Sequence, residues 1–436
     1  MTLPPAYVST RAGSAPVSLS EAIARGLAPD GGLYVPDRLP TVDLGGFAGL
    51  TGLPAIARHV LAGFFRGDRL QDRLGEIASA ALNLEAPTTP VTACPDPLQV
   101  LELFHGPTAA FKDFGARFLA ESLERLEGQA ATPLTILVAT SGDTGGAVAA
   151  AFHRRPWVRV VILYPRGLVS PRQEQQLTCW GDNVMSLRVD GTFDDCQRMV
   201  KEAFVNEELR ARHRFSSANS INIGRLLPQM VYYVASSLDV RRRLGSEASY
   251  IIPAGNLGNA FAAVWARALG LPIGRIILAH NSNRTVPDYL QSGEWRPRPS
   301  VATLASAMDV GNPSNMERLR ALYPGWEALR AQLSAETVDD AAIRARIRAD
   351  HAEFGRTWCP HTATAAEVYR RLPPAERAAR TWVLVSTAHP AKFNEIVEPL
   401  IGGAVEVPAP LAELLRLPQQ VHEVGPTLAS LAKALE

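Results

Sequence analysis

Cysteine is scarce. The chain of 436 residues has four, Cys94, Cys179, Cys196 and Cys359, widely spaced and without a CxxC or CxxH pattern. That spacing argues against a disulfide framework or a zinc site and for a reducing compartment, with four buried, inert thiols. An excess of charge is lacking too. The formal net charge is +1 with 20% charged residues, so no global field draws the protein to nucleic acid or membranes. No apolar run is long enough to span a bilayer, and the start, MTLPPAYVSTR, lacks the apolar core of a signal peptide. Neither a low-complexity linker nor a tight internal repeat is present. What remains is a globular chain, 47% hydrophobic and too long for one core, so two or more domains are expected.

Ser18-Leu19-Ser20-Glu21 reads as a capped helix start, with apolar positions at helical spacing through Leu27. Ala28 to Pro36 must then turn, and Gly31-Gly32 marks backbone positions needing unusual dihedrals. Residues 51–84 read as helices. From Pro133 a different pattern begins. Leu134 to Ala139 is a continuous apolar run suited to a strand buried on both faces, and it is followed by a glycine-rich loop and a helix from Ala147. Strands follow at 158–164 and 184–189, with a helix across 173–180. The unit recurs at 250–269 and again from Thr381, with a helix starting near Ala391. Strands alternating with helices through short loops indicate a parallel α/β architecture: two layers face to face, with the strand carboxyl ends meeting in a cleft.

Four loops and one lysine carry chemistry. Lys112 stands between Phe111 and Phe114, with Asp113 beside it. Apolar walls disfavour an ammonium ion and so prepare an amine for nucleophilic work; a snorkelling lysine paired with Asp113 is the plainer alternative. Gly255-Asn256-Leu257-Gly258-Asn259 joins a strand to a helix, and its amides suit a phosphate. It is neither a Walker loop nor a dinucleotide fingerprint. Ser141 to Gly146 forms a second anion-friendly turn, and Ser217 to Arg225 gathers amides, hydroxyls and an arginine as an oxyanion surface would. A structural turn or a helix cap remains open for each. Ser386-Thr387-Ala388-His389 ends a buried strand, and a hydroxyl there can bond a heterocyclic nitrogen. His389 and Lys392 read as a cap or an anion contact rather than as general bases.

Taken in order, the Phe-flanked lysine, SGDTGG, NSIN-x-x-R, GNLGN and TAHPAKF resemble the pyridoxal-phosphate enzymes of the tryptophan synthase β-like fold (fold type II). LAPDGGLYVP at 27–36, ASAMDVGNPSN at 305–315 and PHTATA at 360–365 narrow the resemblance to threonine synthase, and the amino-terminal segment and AMDVGNPSN to its long form. The resemblance implies an N-terminal subdomain at 1–95, a small α/β domain at 119–228, and a large one from 96–118 with 229–436. It implies a catalytic Lys112 that also holds pyridoxal 5'-phosphate as the Schiff-base lysine. It further implies Gly255, Asn256, Leu257, Gly258 and Asn259 around the cofactor phosphate and Thr387 facing the ring nitrogen. Ser141, Thr144, Asn219, Ser220 and Arg225 become contacts to the substrate, and no metal is expected. The implied reaction takes O-phospho-L-homoserine and water to L-threonine and phosphate. A related phospholyase or a serine/threonine dehydratase releasing a 2-keto acid is the alternative. A cytoplasmic monomer or homodimer acting on a small molecule, with no nucleic acid or membrane partner, completes the expectation. Two departures stand out. Leu257 occupies a position where phenylalanine is common, and Asp143 one where shorter relatives have asparagine. An acid beside the cofactor's phenolate is repulsive unless protonated or turned away.

Overall fold

The structure, a computed structural model, describes residues 4–140 and 142–436. The run LTILVA forms the strand Leu134–Ala139, with all its residues buried. Continuous burial without alternation is what helices on both faces of a parallel sheet produce. The strand at 184–189 also falls where the sequence places it.

Among the described residues these strands make two large sheets. One has six strands in the order Ser334–Thr337, Ile273–His280, Ala248–Pro253, Thr381–Ser386, Leu98–Glu102 and Thr88–Pro90. Its pairings are parallel except for the last, which is antiparallel. The other has five parallel strands in the order His422–Val424, Val184–Val189, Val158–Pro165, Leu134–Ala139 and Arg214–Ser217. Helices Lys112–Glu127 and Ile223–Leu244 join the two, with Phe114, Phe118, Leu226 and Met230 in one continuous core. Parallel strands bring their carboxyl-end loops to the same rim, and there the chemistry-bearing loops gather.

The amino-terminal stretch follows its local signals in part: the turn expected over 28–36 ends in the strand Tyr34–Pro36, which pairs with Tyr7–Ser9. Ser18 Oγ caps the helix Leu19–Arg25 by accepting from the Glu21 amide at 3.2 Å. The two glycines of the following turn differ in purpose. Gly31 has φ 77°, whereas Gly32 is needed for space: a Cβ there would lie 2.1 Å from Ser9 Oγ.

One expected boundary needs correction. Residues 422–436 do not stay with the large unit formed by 96–118 and 229–436. His422–Val424 pairs with Val184–Val189, and Leu431 and Leu435 are buried with Cys196, Met199 and Ala203. The small layer is therefore built from two distant parts of the chain. The signal was weak because a three-residue edge strand with two exposed polar residues and a half-buried valine has no apolar run. Thr88–Pro90, within the 1–95 segment, likewise supplies an edge strand to the large sheet. Among the described residues no helix is long and apolar enough to cross a membrane.

Candidate active site

Lys112 opens the helix Lys112–Glu127 and is set in place by the chain before it. Phe111 N donates to Thr387 O at 2.8 Å, and His389 N donates to Ala109 O at 3.0 Å. Those two rungs lock the end of the strand Thr381–Ser386 against the start of the helix, so Lys112 and Thr387 are neighbours. Lys112 Nζ donates to Thr144 Oγ1 at 2.9 Å. The pairing with Asp113 does not form. Asp113 instead accepts from Thr108 N at 2.9 Å and Thr108 Oγ1 at 2.7 Å, which fixes the turn ahead of the lysine. Burial pushes the Lys112 amine down to about 8, against the pull of Asp143 and with help from Arg225 and Lys392.

A cleft of about 1220 Å³ brings the loops together. Its walls include Lys112, Thr144, Asn219, Ser220, Arg225, Thr387 and all five residues from Gly255 to Asn259. Ser141 lies outside the described residues. The loop 255–259 owes its shape to two features. A Cβ on Gly255 would come within 2.8 Å of Met308 Cα, so only glycine fits. Leu257 takes φ 64°, a conformation leucine rarely adopts, and caps the helix Gly258–Ala268. The first amides of that helix have no intrahelical acceptor and carry the positive end of its dipole.

Surrounding side chains brace this loop. Asn256 Nδ2 donates to Ser220 Oγ at 2.6 Å, and Asn256 Oδ1 accepts from the Ser314 amide at 2.6 Å. Asn315 Nδ2 donates to Asn256 O at 2.9 Å. Arg318, fully buried, ties Asn315 Oδ1 (2.6 Å) to the carbonyls of Ile221 (2.6 Å) and Tyr34 (3.1 Å). Asn259 Oδ1 accepts from Tyr232 at 2.6 Å and Tyr233 at 2.9 Å. Asn222 proves to be a cap: its Oδ1 accepts from Gly224 N, and its Nδ2 donates to the carbonyls of Ile23 and Ser217.

Three buried polar atoms of the cleft residues have no hydrogen-bond partner among the described residues: Asn219 Oδ1, Arg225 Nε and Asn259 Nδ2. Arg225 is nearly sealed from solvent, and burial pushes its guanidinium down to about 10. Orphaned buried polar atoms are rare, and several around one cleft indicate a polar ligand. The set suits pyridoxal phosphate on this geometry. It offers an amine of depressed basicity, an anion cradle at a helix start, unsatisfied donors and a hydroxyl-bearing residue beside the amine.

Sequence reading named Lys392 as a cap or an anion contact but missed its pairing with Asp143. Lys392 Nζ lies 2.8 Å from Asp143 Oδ1, and Gln173 Nε2 donates to the same oxygen at 2.9 Å. Burial alone would raise this carboxyl. Lys392 foremost, together with Lys112, overcomes that effect and holds it well below the usual carboxylate range, so Asp143 is ionised and engaged. Lys392 is thus an anion contact, and His389 is a cap whose Nδ1 accepts from Ala391 N at 3.2 Å. His361, another cleft residue, accepts from the Ala307 amide through Nε2 at 3.1 Å. Burial pushes its imidazole down to about 4 and keeps it neutral. Its place in PHTATA was visible, but no spacing rule assigns a lone histidine to a cleft.

Comparison with known proteins agrees with this geometry. A family profile described as pyridoxal-phosphate dependent enzyme matches residues 92–388. Profiles for the threonine synthase N terminus and C-terminal region match residues 6–82 and 362–434. Threonine synthase of Escherichia coli is 40% identical over 421 residues, which cover 96% of each chain. The crystal structure of threonine synthase from Escherichia coli superposes with a TM-score of 0.89 at 39% identity, over 99% of both chains. That of PLP-bound threonine synthase from Brucella melitensis gives 0.89 at 32% identity, over 99% of this chain and 98% of the other.

Proposed function

The chain belongs to the threonine synthase family of pyridoxal-phosphate-dependent enzymes, and we propose that it converts O-phospho-L-homoserine and water into L-threonine and phosphate. The observation that carries the reading is the Lys112 amine, resting on Thr144 in a cleft walled by the 255–259 loop and by orphaned donors.

Pyridoxal phosphate, when bound, supplies an electron sink for charge that develops at the substrate's α-carbon. Lys112 would hold it at rest, the backbone from Gly255 to Asn259 would receive its phosphate, and Thr387 would face its ring nitrogen. A neutral hydroxyl there would leave the nitrogen largely unprotonated and so disfavour competing transamination. Lys112 Nζ would take protons from the α- and β-carbons and return them at the γ- and α-carbons, and its depressed basicity suits that work near neutral pH. Thr144 Oγ1 steadies the amine between transfers. Asn219, Ser220 and Arg225 bind the substrate's phosphate, whose bond to the γ-carbon breaks with the electron pair leaving on oxygen. Water then adds at the β-carbon. Ser141 is assigned to the same contact set. The enzyme works on this small molecule in the cytoplasm, as a monomer or homodimer, without nucleic acid or a membrane.

A product assay with phosphohomoserine tests the reading: equal amounts of threonine and inorganic phosphate are expected. Phosphate accompanied by a 2-keto acid would make the protein a lyase instead. Arg225→Ala is expected to raise KM for phosphohomoserine about 10- to 100-fold, since a charge-assisted contact is lost. Cofactor retention should stay near that of the parent in a dialysis assay. Equal loss of both would assign Arg225 to structure, through its 2.6 Å bond to Ala218 O.

A further inference from the structure

Lys392 sits in the short turn Pro390–Phe393 with 1% of its side chain exposed. Its Nζ meets Asp143 Oδ1 and Thr108 O, each at 2.8 Å. Asp143 is the residue before Thr144, whose hydroxyl receives Lys112 Nζ. Carboxylates and amines attract strongly where water is scarce, and a paired amine stays charged and non-nucleophilic. Here the available carboxylate is already taken by another cation, while Lys112 rests on a neutral hydroxyl.

We propose that Lys392 is a positioning residue for Lys112: by engaging Asp143 against Gln173, it denies that carboxylate to the Lys112 amine and keeps the amine ready to react. The inference rests on Lys112 being the lysine that takes the cofactor. Charged and titratable groups reach Lys112 from four elements: Asp143 on the helix Asp143–Phe152, Arg225 on Ile223–Leu244, His361 on Pro360–Arg371, and Lys392 itself. Asp113, next in the chain, is occupied by Thr108. Of these, the pair Asp143–Lys392 holds the one carboxylate that faces Lys112 together with a cation bound directly to it.

The test follows cofactor uptake by full-length protein stripped of it, read as the absorbance band at the visible edge across a pH series. Uptake joins the uncharged amine to the aldehyde carbon with loss of water, so its rate tracks the deprotonated fraction of Lys112. The parent should reach half its limiting rate near pH 8. Lys392→Met should move that midpoint up and slow uptake at neutral pH about tenfold, the equivalent of one unit. Asp143→Asn should move it down, and the double variant should return close to the parent. A structural role would shift both single variants alike or not at all. A Lys392→Met profile that overlays the parent, or single variants moving in the same direction, overturns the proposal. Should Lys392→Met fail to fold, Asp143→Asn and the double variant still decide. Absent uptake by the parent, or equal uptake by Lys112→Ala, would instead remove the cofactor assignment beneath it.

Discussion

Lys112→Ala is expected to lose the visible-edge absorbance of the cofactor-loaded protein and to slow threonine formation at least about a thousandfold, the scale set by a lost proton-transfer group. The fold should survive, because among the described residues the side chain makes a single hydrogen bond, to Thr144. Cofactor held only by the 255–259 amides and neighbouring donors should dialyse away faster than from the parent. Stability separates this from damage. In the cofactor-free parent, the folded state releases the Lys112 proton near pH 8, whereas an unfolded lysine holds it to about 10.4. Across that window the unfolded chain binds more protons, so parent stability should rise with pH relative to the alanine variant. Urea unfolding at pH 7 and pH 10 would show it. A variant that keeps the absorbance band would remove Lys112 from the mechanism.

The second large effect concerns stability. Arg318→Met should cost about 4 kcal/mol, a large part of the 5–15 kcal/mol typical of folded proteins, seen as a lower urea midpoint. The guanidinium donates to Tyr34 O through both Nε and Nη2, to Asn315 Oδ1 and to the part-buried Ile221 O, and methionine would take these donors away. Each abandoned buried acceptor costs about 1–3 kcal/mol. Volume is roughly kept by the substitution, so the loss reports hydrogen bonds rather than a cavity. Asn315, released from Arg318, also braces Asn256 O, so cofactor retention should fall together with stability. An unchanged midpoint would mean that the Tyr34, Ile221 and Asn315 segments hold together without the arginine.

Much of this arrangement was legible in the chain. Buried parallel strands announce themselves as unbroken apolar runs, and LTILVA landed on its residues. The loops after them carry glycines and hydroxyls that line the cleft, so most expected site residues lie together there. Long-range partnerships were not legible. Nothing near Asp143 or Lys392 in the sequence says that they meet, because an ion pair has no period and no spacing. Leu257 in a left-handed conformation was equally hidden, since leucine gives no turn signal. Asn222 shows the other half of that polar cluster: a helix cap stayed open for it, and Asn222 is one.

Because residues 422–436 complete the five-stranded layer, that layer cannot be finished as it leaves the ribosome. The outer backbone edge of Val184–Val189, and the apolar face later covered by Leu431 and Leu435, emerge and must wait while the whole intervening polypeptide is translated. An unpaired edge beside uncovered apolar side chains is a template for wrong partners. Nascent chains stalled in that interval should depend on chaperones far more than the released protein does.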